Sequence, residues 1–454
     1  MTLAERLAAF AADLTFDELP AAVVADVKLR ALDVLGIALA ASAHEVGPPM
    51  RGGLEAWAGR GECTVVGAKF TASAPIAIMI NGTLAHGLDF DDTHAPSVTH
   101  ASAVVIPTVL ALGEAAGLDG RAIITAAVAG YESIARIGMG APAAFHSQGW
   151  HATSTCGTFA AALAAGVCER LDRAALTSAL GIAGSFASGV MEFLQDGSWV
   201  KRLHPGWAGQ AGAMAAALAR AGFPGPSTIL EGRYGLYRTF VNADPDPRPF
   251  DTLGRTWETL NVGFKPYPAC HYLHAFLDCA LALRETHRLD ASTIEAIECL
   301  VPPTGMPIVA EPREAKLRPR TPYDAQFSLP YSVAAALVDG RVDLDTYTAE
   351  WLGDHRILAL ADRVTCTPDP DTTFPNGFPG WVRVHLAGGR IVEAREPDGR
   401  GGPARPLPPH AIVEKFRANA GRVLGASRVN EIERATLALD TLADVRSLMP
   451  LCRG

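Results

Sequence analysis

Cysteine pairs of the C-x-x-C kind are missing from this 454-residue chain. Its eight cysteines, Cys63, Cys156, Cys168, Cys270, Cys279, Cys299, Cys366 and Cys452, are scattered. That excludes zinc ribbons and ferredoxin-type clusters, whose ligands come at tight thiolate spacings. It points instead to reduced, mostly buried thiols and to the cytoplasm. No GxxxxGK[ST] and no strand–GxGxxG–helix unit occurs, so nothing suggests a nucleotide. An excess of positive charge is missing too. The formal net charge is −9, which argues against nucleic acid or an anionic membrane as the main partner. Clean apolar runs are also lacking: the most apolar segments carry Gly, Ser, Pro or charge and read as buried helices, not membrane spans. The opening MTLAERLAAFAADLTFDELP has acids early and no cationic lead, so it reads as an amphipathic helix and not as a signal peptide.

What remains is an apolar globular chain, 49% hydrophobic and 19% charged, with no sign of broad disorder. Its length exceeds what one core usually needs, so two domains are expected. The first half reads as helix after helix. Pro20 starts AAVVADVKLRALDVLGIALAASA, and Ser73 can cap APIAIMINGTLAHGL. ASAVVIPTVLALGEAAG, RAIITAAVAGYESIARIG, HATSTCGTFAAALAAGVCERL, AALTSALGIAGSFASGV and GQAGAMAAALARAG follow. Their small side chains let helix axes approach closely, as in a buried bundle. Beyond Ile294 come β-like runs: AIECLVPP, RVTCTPDP and WVRVHLAGGRIVEARE. The last has two alternating arms around Ala387-Gly388-Gly389, a hairpin signal. PDGRGGPARPLPP reads as a linker into two final helices. The expected fold is mainly α with a smaller α+β part. An all-helical domain from residues 1–262 and 401–454 carries an inserted α/β domain over 263–400.

Four stretches and one tyrosine carry candidate chemistry. HGLDFDDTHAPSVTHASAV gathers three histidines and three aspartates between two apolar helices. If the first helix runs on, Asp89, Asp92 and Thr93 share a face. Pro96 would then end it, and Thr99 would cap the next, leaving His100 at a helix N-terminus where the dipole favours a neutral ring. A capped polar loop, a metal site and a proton-transfer pair all fit these residue types. No HExxH or H-x3-H spacing supports the metal. GWHATST places His151 before a small-residue helix, as a capping or core histidine or as a catalyst. SWVKRLHPGWAGQAG holds Lys201, Arg202 and His204 interleaved with tryptophans ahead of a helix that can receive an anion. FKPYPACHYLH fixes Lys265 between an aromatic residue and prolines, with His271 and His274 three apart. Tyr331 lies in an apolar helix, where tyrosines are usually core. Together these groups resemble a site for an acidic substrate: cations hold carboxylates while histidine and aspartate move a proton beside one.

These motifs, in this order, resemble the MmgE/PrpD family over nearly the whole chain. The resemblance rests on HGLDFDDTH…THASAVVIP, GRAIITAAVAGYESIARIG, GWHATSTCGTFAAALAAG, WVKRLHPGWAGQAG, FPGPSTILEGRYG, FKPYPACHYLH and AQFSLPYSVAAAL. The family includes 2-methylcitrate dehydratase, cis-aconitate decarboxylase and iminodisuccinate epimerase. The resemblance implies a large helical domain with a smaller α/β lid, a homodimer, and neither metal nor organic cofactor. It places active-site positions on Asp89, Thr93, His100, His151, Lys201 and Lys265, with a tyrosine at Tyr331 or Tyr323. Two departures stand out. His94 follows DDT where decarboxylase-like members tend to carry an aromatic residue. Ala269-Cys270-His271 stands where many relatives have Cys-Cys-Arg, and a neutral imidazole binds a carboxylate more weakly than a guanidinium.

The expectation is a cofactor-independent lyase, a dehydratase or decarboxylase, acting on a small di- or tricarboxylate such as 2-methylcitrate or cis-aconitate. His100, oriented by Asp89, would transfer the proton and His151 would be the second acid or base. Lys201 and Lys265 would stabilise the enolate-like charge. Thr93, Arg202, His204, His271 and Tyr331 would bind substrate. The alternatives are an epimerase of an iminodisuccinate-like dicarboxylate, a metal-dependent hydrolase built on His86, Asp89, His94 and His100, and a non-catalytic carboxylate-binding protein.

Overall fold

The computed structural model describes residues 1–374 and 377–454. The chain is mostly helical with a small sheet part. Its contacts divide it into two compact units, residues 1–262 with 408–454, and residues 263–407.

The first unit is built from helices. Leu3–Asp13 opens with a capping box in which Thr2 and Glu5 satisfy each other's backbone N–H groups. Ala21–Ala43 follows Pro20 and is buried along most of its length. Then come Ala74–His86, Ser102–Ala116, Gly120–Met139, Ala152–Cys168, Arg173–Phe186 and Val200–Arg220. The last two helices, Pro409–Ala420 and Ala426–Leu437, pack on Ala21–Ala43. Ser73 does occupy the N-cap position of Ala74–His86, but its hydroxyl makes no cap bond.

Val200–Arg220 packs on both Ala74–His86 and Ala152–Cys168. Glycine sets the first of these approaches. A methyl group on Gly206 would stand 2.1 Å from the Met79 carbonyl oxygen, and one on Gly82 would stand 2.8 Å from the Gly206 Cα. Neither neighbour is a flexible side-chain end, so the helices themselves must part. Gly206→Ala is therefore expected to destabilise the protein by about 1–3 kcal/mol through overpacking. The urea-unfolding midpoint measures this, and an unchanged midpoint would show that the helices separate at no cost.

The second unit centres on a four-stranded sheet. Ile294–Val301 pairs in parallel with Val364–Pro368 and antiparallel with Gly380–Leu386, which in turn pairs antiparallel with Ile391–Glu396. The strand Gly380–Leu386 alternates buried and half-buried residues, the period of a sheet with one covered face. Gly388 and Gly389, at φ 86° and 81°, make the hairpin turn that their dipeptide signals. The helices His274–His287 and Leu329–Asp339 pack together in this unit's core. The second unit runs on past Arg400 to Leu407. Gly401 accepts from the Phe264 N–H at 3.0 Å and donates to the Arg405 carbonyl at 2.8 Å. Those bonds hold it to the second unit. Among the described residues no helix is long and apolar enough to cross a membrane.

Candidate active site

The histidine- and aspartate-rich stretch does not continue the helix before it. That helix ends at His86. Asp89 then takes a left-handed backbone, φ 49°, which aspartate tolerates better than most residues. The side chains of Asp89, Asp92 and Thr93 therefore share no helix face. A short extended segment, Asp92–His94, leads into a single turn, Ala95–Ser97. His94 and Thr99 close this turn with N–H···O bonds of 2.8 and 3.3 Å. Val98, at φ 54°, lies inside it; a β-branched residue there is strained.

Polar partners fix this loop from several sides. Arg30, 1% exposed, bonds the Asp92 carboxylate at 3.1 Å, Asp26 at 2.5 Å and the Val262 carbonyl at 2.6 Å. Asp92 in turn receives the Ser102 backbone N–H at 3.1 Å and also the Ser102 hydroxyl. So Asp92 caps the following helix. Thr99 does not; its hydroxyl bonds Ser97 Oγ at 2.7 Å. Burial pushes the Asp92 carboxyl upward and the Arg30 guanidinium opposes it. From the far end of the chain, Lys415 donates to the Phe90 carbonyl at 2.7 Å and to Asp33 at 2.9 Å, and it lies 3.9 Å over the Phe90 ring.

Four imidazoles converge beside the loop. His86 and His100 have ring centroids 4.9 Å apart, and His151 lies 6.0 and 6.1 Å from them. His204 follows, 5.1 Å from His151. Each ring is oriented through Nδ1: His86 bonds Asp91 Oδ2 at 2.8 Å, His100 the Asp92 carbonyl at 2.6 Å, and His151 the His204 Nδ1 at 2.9 Å. The Asp92 carbonyl thus orients His100, with the Asp91 carboxylate 4.0 Å away. Thr93 Oγ1 stands 3.4 Å from the same Nδ1. Asp89 accepts from the Lys201 ammonium at 3.1 Å, a pair buried on both sides. Arg202, 1% exposed, pairs with Glu45 at 2.9 Å and lies over the Trp199 ring. His204, one of the expected substrate binders, supports His151.

His94 stands outside this group. Its Nδ1 bonds Ser97 at 2.7 Å and its Nε2 bonds Glu258 at 3.2 Å. Among the described residues His94 therefore joins no group of metal-ligand atoms. The residue ties the loop together, and its imidazole holds the Glu258 carboxyl down at about 2.

His151 and His204 favour the neutral form. Burial first, then His204 and Lys201, hold the His151 imidazole well below the usual histidine range. Burial, then His86 and Lys201, bring His204 to about 4. Unfolded histidine titrates near 6.5. As pH falls from 6.5 toward 4, the unfolded chain gains protons that the folded one refuses, so this histidine costs stability in that window and none above it. Asp33, raised to about 6 chiefly by burial, acts oppositely: it favours the fold at low pH and loses that effect as pH rises through 6. His204→Asn should therefore flatten the fall of the melting temperature between pH 6.5 and 4.5. Melting curves of variant and parent that stay parallel in this range would contradict the assignment.

The remaining candidates lie in the second unit. Lys265 is fully buried there. His271 begins the turn before the His274–His287 helix and stacks on His274 at 5.0 Å. Tyr331 is a core residue whose hydroxyl donates to the Thr346 carbonyl at 2.9 Å, and Tyr323 is buried in the same core. Tyr331 thus contributes to the packing of the second unit.

One pairing and one residue were not read from the sequence. The His86–Asp91 pair is five residues apart, and its only sequence signal is Gly87, a helix-stop residue directly after His86. His146, 5.9 Å from His151, is the other, and nothing in the sequence singles it out.

With this geometry in place, comparison with known proteins identifies the lineage. Residues 5–248 match the MmgE/PrpD N-terminal domain and residues 267–441 the MmgE/PrpD C-terminal domain. The chain belongs to the MmgE/PrpD family. It is similar to a cis-aconitate decarboxylase-like protein of Aspergillus oryzae, 27% identical over 97% of this chain and 95% of the relative. A cis-aconitate decarboxylase of Aspergillus terreus is 29% identical over 86% and 84%. A 2-methylcitrate dehydratase of Cupriavidus necator is 28% identical over 49% and 47%. This MmgE/PrpD chain is a lyase.

Proposed function

We propose that this MmgE/PrpD lyase acts on a small di- or tricarboxylate of the cis-aconitate class, moving a proton at a carbon beside a carboxylate. The observation that carries this reading is the buried group of His86, His100 and His151 beside the Lys201–Asp89 pair. Decarboxylation is favoured over dehydration because the decarboxylase likeness spans 86% of the chain and the dehydratase likeness 49%.

In such a reaction the bond to one carboxylate breaks, its electron pair stays on the substrate carbon, CO₂ leaves, and that carbon takes a proton. Lys201 neutralises a carboxylate and the charge that builds beside it. His100, anchored through Nδ1, delivers the proton from its other nitrogen. His151, held neutral, is the group that can take a proton back. Thr93 steadies the His100 ring. The chain runs this chemistry in the cytoplasm without metal or organic cofactor. It works as a homodimer that covers Trp199, Val200, Trp207, Met214, Leu218 and Phe223, which are exposed on and around the Val200–Arg220 helix.

Proton NMR in deuterated water with cis-aconitate, 2-methylcitrate, citrate and iminodisuccinate tests the reading. Deuterium entering the product carbon as CO₂ forms supports it. Exchange with no loss of carboxylate or water would identify the epimerase alternative, and inertness toward all four would overturn the carboxylate reading.

A further inference from the structure

We propose that His86, His100 and His151 also form a binding site for a divalent transition-metal ion of the Zn²⁺ type, which blocks the lyase when it occupies the site. The inference rests on the proton-transfer reading, because the ion would take the same imidazole nitrogens.

Geometry is the first support. One ring nitrogen from each of the three residues lies within 4.8 Å of the others. Nitrogens around tetrahedral zinc, at about 2.0–2.1 Å from the ion, stand about 3.4 Å apart. The rings therefore need to draw in by at most about 1.4 Å, within reach of side-chain rotation at a loop and two helix ends. Orientation is the second support. Histidines that ligate metals characteristically engage their other nitrogen with a carboxylate or carbonyl, which fixes the tautomer. His86 does so with Asp91 and His100 with the Asp92 carbonyl, while His151 leans on His204. The carboxylate and carbonyl partners call for Nδ1–H on His86 and His100, which puts their lone pairs on Nε2, and His151 takes the same tautomer when it donates to the His204 Nδ1.

Charge is the third. A dication needs compensation, and His86, Asp89 and Asp91 form a second group of ligand atoms within the same 4.8 Å limit. Of these carboxylates, Asp89 is paired with the Lys201 ammonium at 3.1 Å. His100, whose side chain is 12% exposed, supplies the entry.

Co²⁺ is the probe, added to the full-length protein. Tetrahedral nitrogen coordination should give intense visible d–d absorption that saturates at one ion per chain. Zn²⁺ should bleach it, and turnover should fall in step with occupancy. His100→Gln and His151→Gln should each weaken Co²⁺ binding at least tenfold. Asp91→Asn, which keeps all three imidazoles, should weaken it about 10–100-fold. His385→Gln, in the second unit, should leave it unchanged, and circular dichroism reports whether each variant is folded. Absorption absent at millimolar Co²⁺, or unaltered in all three site variants, would overturn the metal site while leaving the lyase reading intact. Turnover that rises with occupancy would retain the site but overturn both the inhibition and the metal-free proton transfer.

Discussion

Alanine at His100 should lower kcat on the true substrate by about 10²–10⁴-fold, the usual contribution of a positioned general acid or base. Three features single out this ring. It is the most open of the three clustered imidazoles, it lies next to both His86 and His151, and its Nδ1 is committed to a backbone carbonyl 2.6 Å away. A ring anchored in this way presents its other nitrogen in a defined direction. His100→Gln separates proton transfer from mere shape. A glutamine amide can still donate to the Asp92 carbonyl, but it cannot exchange a proton at neutral pH. Equal losses in the alanine and glutamine variants, with KM little changed, are the expected result. Recovery of turnover by glutamine would mean that His100 only positions the substrate, and near-normal turnover in both would remove it from the chemistry.

Arg30→Met should cost about 3–5 kcal/mol of stability, because it leaves buried carboxylates without their cation. Asp92 is 2% exposed and Asp26 17%, so water cannot replace the guanidinium. The effect should reach the active site as well, since the carbonyl of the same Asp92 holds His100 and its carboxylate caps the next helix. Chemical unfolding measures the loss. Arg30→Met combined with Asp92→Asn should be less destabilised than the sum of the single changes, because removing the second charge relieves the first defect. Strict additivity would show that the two residues are not energetically paired.

The outline of the fold was legible because it depends on local periodicity. Ala- and Gly-rich stretches with apolar residues three and four apart became helices, and the Gly388-Gly389 pair became a hairpin turn. The site was legible as a set of residue types and much less so as a set of partners. His100, His151 and Lys201 stood out because titratable groups were embedded in apolar surroundings. Their partners are set by contacts remote in sequence. Arg30 meets Asp92 across 62 residues, Lys201 meets Asp89 across 112, and His151 meets His204 across 53. No spacing rule within one helix reaches so far. Asp89 was misplaced because the helix pattern was extended past Gly87, whereas the chain leaves the helix at His86 and turns through a left-handed residue. Tyr331 shows the opposite case. Its apolar neighbours already signalled a core tyrosine, and its hydroxyl found a carbonyl in the core.

The contacts of Lys415 carry a consequence for biosynthesis. This lysine holds the Phe90 carbonyl from 325 residues further along the chain. At ribosomal rates of about 5–20 residues per second, that separation corresponds to a wait of roughly 15–65 s. During that time the His86–His100 loop is already outside the ribosome, while the lysine that holds its floor is still unmade. The long loop closure also slows the final step, since ordering so distant a contact is costly before it is rewarded. The nascent helical unit therefore passes through a period in which most of its helices exist but its proton-transfer loop is unlocked. It is in that period that a chaperone would find apolar helix faces still uncovered.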